Sequence, residues 1–385
     1  MMVKWNYLNW EEMVERAITF FKKIGHGQKV VLMHHGDCDG VVSALYIAET
    51  VKEIRGRYPD EILWVSTKSY KLKNEKALID HLAPDVLLVT DLDLGKEPET
   101  LKHWADVIDN VFIYDHHNID GSYKDAIPRS IEYLNARMLG IPRIWHPAAY
   151  FGYSLFKHFS KNDYPWLAAL GLRGDHAFDE YEELKNEIRD KFPELLKEIE
   201  NEDYKNLLEK LVYFVNAGFF HNPNGEDNIS FKVLQKAMKK NDYTFVYSNE
   251  EEAASLFSKR QELKSDIEKI YDGAKDEAKI YEDIPLLVYR INTPHYILGV
   301  IASRLKDDHP DKIIYIFNQF DDEISGEIRQ GEKIDVNLIK LLLGIGENFK
   351  YISVGGHPRA AGCLFPASKY DEYLRLLEGR IHEFI

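Results

Sequence analysis

Two periodicities alternate along the first third of the chain. Between Gln28 and Asp115, the runs KVVLMHH, EILWVSTKS, DVLLVTD and NVFIYDHH read as strands, and VVSALYIAETVKEI, NEKALIDHL and PETLKHWADVI read as the helices between them. Near-continuous apolar strands joined by helices predict a parallel sheet covered on both faces. In such sheets ligands collect beyond the carboxyl ends of the strands. Three of the four runs end in Asp or His, so the pattern directs attention to that edge.

Further on, AAYFGYSLFKHFS and WLAALGLRGD between Pro147 and Asp175 read as helices. From Glu180 to about Lys279 the chain is charged and helix-rich, and its last stretch reads as a solvated connecting helix without chemistry. After Pro285 the alternation resumes in IPLLVYRI, HYILGVIASRLKDD, KIIYIFN, EISGEIR, VNLIKLLLGI and YISVGGHPRAAGCLF. The expected fold class is therefore α/β, with three parts. Residues 1–180 form a parallel-sheet domain, residues 181–283 a helical extension and connecting helix, and residues 284–385 a smaller α/β domain.

Composition narrows the picture. A chain of 385 residues exceeds what one core usually organises, and 45% hydrophobic and 12% aromatic content is that of a globular protein. The N-terminal stretch carries acids among its apolar residues and reads as an amphipathic helix. We expect no signal peptide and no membrane span. Cys38 and Cys363 are far apart and match no zinc spacing, which points to a reducing, cytoplasmic setting. A formal charge of −15 disfavours a protein that grips long duplex DNA, because such binding neutralises many phosphates with Lys and Arg. Short or single-stranded substrates, whose charge metal ions and a few cations can meet, fit better.

Candidate chemistry lies at four places. The first strand runs into His34-His35-Gly36-Asp37-Cys38-Asp39-Gly40, where two carboxylates one residue apart can face different cations. Taken alone, this is equally well a capping Asp in a glycine turn. Asp91 should sit at the tip of a buried strand, with Asp93 a rival two residues on. Asp115-His116-His117 ends another strand, and there a carboxylate beside an imidazole can orient it. Asp175 follows Gly174 at the boundary of an apolar helix. Together His35, Asp37, Asp39, Asp91, His116 and Asp175 supply oxygen and nitrogen ligands for two divalent cations. A set without thiolate suits Mn²⁺, with Mg²⁺ or Co²⁺ as substitutes.

The C-terminal region has a logic of its own. Gly355 and Gly356 let backbone amides approach an anion, and His357 and Arg359 add side-chain donors, as expected of a pocket for a phosphate or a nucleotide end.

GDCDG, DHH and SVGGHPRAAG, in this order, resemble the motifs of the DHH phosphoesterase family with its C-terminal DHH-associated domain. The resemblance covers nearly the whole chain outside the helical middle. It implies that His35 and Asp37 hold one metal and Asp39, His116 and Asp175 the other, with Asp91 bridging. It also implies that His117 touches the scissile phosphate and that Arg329 clamps a substrate phosphate. Two departures stand out. RecJ-type members have Asp where this chain has His35, which leaves His34 competing, and Val354 replaces the first glycine of the C-terminal motif.

The function implied is a Mn-dependent two-metal phosphodiesterase, an exonuclease on single-stranded DNA or RNA or on short oligonucleotides. Modules of the longer RecJ-type enzymes are missing, which tilts the expected polarity slightly to 3′→5′. A cyclic-dinucleotide or adenosine-bisphosphate phosphoesterase is the alternative within the family. From another class, the alternative is a non-catalytic replication or repair scaffold. Homo-oligomerisation and a DNA repair or replication partner are compatible with the sequence, and a membrane partner is not expected.

Overall fold

A computed structural model of the chain describes residues 9–65, 69–117, 126–137, 147–200, 204–221 and 228–384. The chain divides into two compact units, Met1–Phe219 with Pro223–Ser258 and Phe220–Asn222 with Lys259–Ile385. The architecture is mixed α/β.

The first unit opens with helix α1 (Trp10–Phe21), started by a capping box in which Asn9 and Glu12 satisfy each other's backbone amides. A five-stranded sheet follows, with strands β1 (Val30–His35), β2 (Glu61–Val65), β3 (Val86–Thr90), β4 (Asn110–Asp115) and β5 (Ile131–Asn135). All neighbours pair in parallel, in the order β2-β1-β3-β4-β5. Of the run read as EILWVSTKS, residues 66–68 lie outside the described residues, and Ser69 begins the next helix instead of ending a strand. The patterning reading did not name β5 as a strand.

Helices α2 (Cys38–Arg55), α3 (Ser69–Leu82) and α4 (Pro98–Val107) link the strands. Strand alternation sorts side chains to two faces. Val31, Met33, Leu87, Val89 and Ile113 join Ile79, Leu101 and Trp104 in one core. Phe112 and Tyr114 face the other way, where Tyr114 stacks on Phe151 at 3.8 Å in helix α5 (Ala148–Phe159). α2 is buried almost all round because α5 and helix α6 (Pro165–Gly174) cover it. Helices α7 (Glu182–Lys191), α8 (Leu207–His221) and α9 (Ile229–Lys240) follow, and α10 (Glu251–Glu277) is the long helix.

The second unit holds a six-stranded mixed sheet in the order β10-β11-β9-β8-β7-β6. Its strands are β6 (Lys279–Ile280), β7 (Leu286–Ile291), β8 (Ile313–Phe320), β9 (Glu323–Gln330), β10 (Ser353–His357) and β11 (Ala360–Pro366). Among these described strands only β7 and β8 pair in parallel. Leu338, Leu341 and Leu342 of helix α12 (Leu338–Gly346) and Tyr373, Leu377 and Ile381 of helix α13 (Tyr370–Phe384) pack on Leu286, Tyr315 and Phe317. Helix α11 (Leu298–Asp308) packs against β8 and β9. Among the described residues no helix is long and apolar enough to cross a membrane.

Candidate metal centre

The strand order 2-1-3-4-5 reverses direction between β1 and β3, and a crevice opens at such a switch point beyond the strand ends. His35 ends β1, Asp91 follows β3, and Asp115, His116 and His117 close β4. Asp37 and Asp39 stand at the start of α2, and Asp175 caps the end of α6. Residues spread over 140 positions therefore converge at one sheet edge.

Asp91 is the meeting point. Among the described residues, Asp91, His116 and His117 each offer a ligand atom within 4.8 Å of the others, and so do His35, Asp37 and Asp91. One carboxylate is thus shared by two donor groups. Its Oδ1 lies 3.1 Å from His116 Nε2, and its Oδ2 lies 3.7 Å from His35 Nδ1. His35 Nδ1 is also 3.1 Å from Asp37 Oδ2. Asp91 adopts φ 60°, a left-handed conformation that Asp tolerates better than most residues, while its amide still donates to the Tyr114 carbonyl at 2.9 Å.

The remaining acids have mixed duties. Asp37 is both a site donor and the N-cap of α2, its Oδ1 accepting the Gly40 amide at 3.0 Å. Asp39 accepts the amides of Ala148 and Ala149 at 2.8 and 2.9 Å, so it caps α5 while its Oδ2 lies 3.7 Å from His116 Nε2. Asp175 Oδ2 is buried without a hydrogen-bond donor among the described residues and lies 3.7 Å from His116 Nδ1. Asp115 is wholly buried and points at His117, whose Nδ1 it holds at 2.7 Å. The His117 amide at 3.2 Å, the Asn135 side chain at 3.2 Å and the Tyr133 hydroxyl at 3.4 Å also donate to it. It positions His117 and stands outside both donor groups.

The rivals separate. His35 faces Asp37 and Asp91, whereas the wholly buried His34 hydrogen-bonds the His35 carbonyl at 2.6 Å and the Asn228 side chain at 2.8 Å. Burial pushes the His34 imidazole down to about 4, so it is neutral. Asp93 belongs to neither donor group.

Charge crowding characterises the site. Burial, with Asp91, Asp175 and Asp37 nearby, raises the Asp39 carboxyl well above its usual range. Burial with Asp91 and Asp37 lifts Asp175 to about 6. For the imidazoles burial acts downward but the acids outweigh it. Asp37 and Asp91 lift His35 to about 10, and Asp115 lifts His117 to about 9. Asp91 is held well below the usual carboxylate range by His116 and His35, against its burial. A buried oxygen without a donor, a shared carboxylate and an N/O donor set fit two divalent cations.

Four neighbours escaped the sequence reading. Asn216 and Phe219 of α8 and Asn228 before α9 contact the turn between β1 and α2. They sit in the segment read as a charged connector, and no motif marks them. Arg137, just past β5, feels Asp175 and Asp115, and burial lowers its pKa. A cation two residues beyond Asn135 was the one available signal.

In the second unit β10 and β11 form a hairpin at the sheet edge, with Pro358 and Arg359 at its tip. Arg359 is exposed. Gly356 has φ 126°, and a Cβ there would lie 2.5 Å from the Ala360 oxygen. A Cβ on Gly355 would meet nothing within 4 Å among the described residues. The His357 side chain lies outside the described atoms. Arg329 of β9 pairs in register with Ala360, and its Nη1 donates to Glu327 at 3.0 Å and to the Ile328 carbonyl at 2.9 Å.

Comparison with known proteins places this architecture. Residues 283–383 match the DHHA1 domain. Over its length the chain superposes on RecJ from Thermus thermophilus in complex with Mn²⁺, with a TM-score of 0.71 and 13% identity, covering 97% of this chain and 55% of that one. This chain thus spans about half the length of that RecJ. A DHH domain described as a member of a family of ribosomal proteins gives 0.68 at 14% identity, covering 96% and 90%. CDC45 from Entamoeba histolytica gives 0.53 at 10% identity, covering 96% and 98%. No curated protein matches the sequence. The chain has a DHH-type fold ending in a DHHA1 domain.

Proposed function

We propose that the chain is a two-metal phosphodiesterase, an exonuclease acting on single-stranded DNA or RNA or on short oligonucleotides. The observation that carries this reading is the Asp91 carboxylate shared by the His35–Asp37 and His116–His117 groups. His35, Asp37 and Asp91 would hold one cation. Asp91, His116, Asp39 and Asp175 would hold the other. When bound, such a pair acidifies a water and neutralises charge on the phosphate.

The chain's own residues do the rest. Asp115 keeps His117 protonated and aimed, so that its Nε2 can donate to a non-bridging phosphate oxygen. Gly355, Gly356, His357 and Arg359 would hold a second phosphate, with Arg329 as a clamp beside them. In this reading residues 1–180 carry the chemistry and residues 284–385 capture substrate. Mn²⁺ is the preferred ion and Mg²⁺ a substitute. The Thermus RecJ has been seen with both. We also infer a reducing, cytoplasmic setting, supported by two buried free cysteines, and a slight preference for 3′→5′ polarity.

The fold likeness to CDC45 is the observation behind a second reading, a replication scaffold without turnover. Both donor groups, complete around Asp91, weigh against it. One experiment decides. Purified protein is incubated with Mn²⁺, Mg²⁺ or Co²⁺ and end-labelled DNA and RNA oligonucleotides of several lengths, and with a cyclic dinucleotide. A metal-dependent ladder supports the nuclease and gives its polarity, and no cleavage with any ion leaves the scaffold.

A further inference from the structure

We propose that Asn216 and Asn228 are positioning residues for the metal-bearing turn, so that the helices after the catalytic sheet form part of the catalytic apparatus. The inference rests on the two-metal reading above. Asn216 lies in the middle of α8, where Asn is a poor helix former. Its Oδ1 accepts the amide of Cys38 at 2.8 Å. That amide is the first of α2, one of the donors a helix start leaves without an intrahelical partner, and it lies between Asp37 and Asp39.

Asn228 occupies the N-cap position of α9, where an Asn side chain ordinarily accepts an amide from its own helix. It makes no such bond. Its amide group is directed instead at His34 Nε2, 2.8 Å away. A carbonyl only accepts, and the NH₂ of an Asn side chain only donates. The contact of His34 Nδ1 with the His35 carbonyl therefore puts the hydrogen on Nδ1, and Nε2 accepts from Asn228. The relay runs from Asn228 through His34 to the backbone of His35.

Phe219 closes the third side. Its ring lies 5.2 Å from that of His35, and a Cβ on Gly36 would come within 2.6 Å of it. The turn from His35 to Asp39 is thus held at a backbone oxygen, an imidazole face and a backbone amide, all from α8 and the start of α9. Groups that orient metal ligands in this way typically change metal affinity by roughly 10- to 100-fold when lost.

The test is calorimetric titration of Mn²⁺ into the full chain, alongside thermal melts and steady-state kinetics. Asn228→Asp keeps the shape and removes the donor. Asn216→Leu removes the acceptor, and Asn216→Asp restores it. We expect Asn228→Asp and Asn216→Leu each to weaken Mn²⁺ binding at least about tenfold, and to lower kcat similarly while KM for an oligonucleotide changes less than about twofold. Asn216→Asp should recover most of the affinity. Wild-type affinity in both disrupted variants, whatever their melting temperature, would overturn the positioning role alone. If Asn216→Leu does not fold, Asn228→Asp decides by the same criterion. A wild-type chain that takes up no Mn²⁺, Mg²⁺ or Co²⁺ overturns the two-metal reading and this inference with it.

Discussion

GDCDG and SVGGHPRAAG both bend the chain with glycine, yet they sit in opposite surroundings. The first lies at a buried sheet edge where Asp39, Asp91 and His116 are almost wholly enclosed. Each acid there has at least one fixed neighbour, and the imidazoles hold protons tightly. The second is an edge hairpin with an exposed arginine at its tip and open space over Gly355. Enclosing that many ionisable groups is costly unless charge is balanced, and the first region offers donors that suit cations. The open strand costs little and leaves room for a ligand. Chemistry and capture are thereby assigned to different physical settings, and the following experiments test that assignment.

The largest effect is expected from Asp91→Ala. Removing the carboxylate common to both donor groups should abolish Mn²⁺-dependent hydrolysis, a loss of at least about 10³-fold or roughly 4 kcal/mol of barrier, with circular dichroism unchanged. Activity within about tenfold of wild type would show that no carboxylate is shared. Asp93→Ala, outside both groups, is the matched control and should be mild.

Asp115→Asn comes next. It keeps the shape of the side chain but removes the charge that lifts His117 to about 9. We expect kcat to fall roughly 10- to 100-fold with Mn²⁺ binding retained, for a small chromogenic diester as much as for an oligonucleotide. Loss of Mn²⁺ uptake in the calorimeter would instead make Asp115 a ligand.

The α/β alternation made the first sheet readable because β1, β3 and β4 are buried on both faces, and that pattern survives in a single sequence. The convergence of His35, Asp37, Asp91 and His116 at one sheet edge was legible for a related reason, since strand ends collect ligands. β5 was not, because Ile131–Asn135 carries Glu132 and follows residues without a clear apolar run. The choice between His34 and His35 needed the pleat, which turns adjacent side chains to opposite faces. Asn216 and Asn228 were illegible because an Asn in a helical segment carries no period and no spacing. Its role appears only when the partner is a backbone atom almost 180 positions away or a histidine beyond that.

Proton linkage gives a third test of the buried region. His35 and His117 bind protons more tightly in the folded chain, at about 10 and about 9 against 6.5 for an ordinary imidazole. Their contribution to stability is fully present below about 6.5 and is lost as pH rises through 9 to 10. The metal-free protein should therefore melt several degrees lower at pH 10 than at pH 7. Saturating Mn²⁺ should flatten the part of that slope that belongs to His35, because a cation takes the place of its proton while Asp115 keeps His117 protonated. A slope that ignores Mn²⁺ would mean the protons and the ions occupy different places.

The glycine hairpin should respond in a different currency. Gly356→Ala forces a side chain into φ 126° and against the Ala360 oxygen, so it should cost about 1–3 kcal/mol of stability, read in a denaturant titration. Gly355→Ala meets no neighbour among the described residues and should leave stability unchanged. If a phosphate approaches that strand, Gly355→Ala and Arg359→Ala should raise KM for an oligonucleotide several-fold at nearly constant kcat. A small diester, which carries no second phosphate, should be hydrolysed as before. Equal loss on both substrates would erase the distinction between capture and chemistry.

The smallest effect is expected from Cys38→Ser, which asks whether the buried region is sensitive by position or by charge. Cys38 lies between Asp37 and Asp39, inside the motif itself. Its side chain turns away from the donors, with Sγ 3.5 Å from the Leu170 carbonyl, and a Cβ on Gly174 would come within 2.8 Å of it. Burial, with Asp37 and Asp39 adding to it, raises the thiol well above its usual range, so it stays protonated and is a poor ligand. A serine hydroxyl fits the same space and can donate to the same carbonyl. We therefore expect kcat/KM within about twofold and a stability change of about 1 kcal/mol or less. A tenfold loss of activity, or loss of Mn²⁺ uptake, would bring sulfur into the metal shell. Zinc would then become the ion to test, since soft thiolate ligation favours it over manganese.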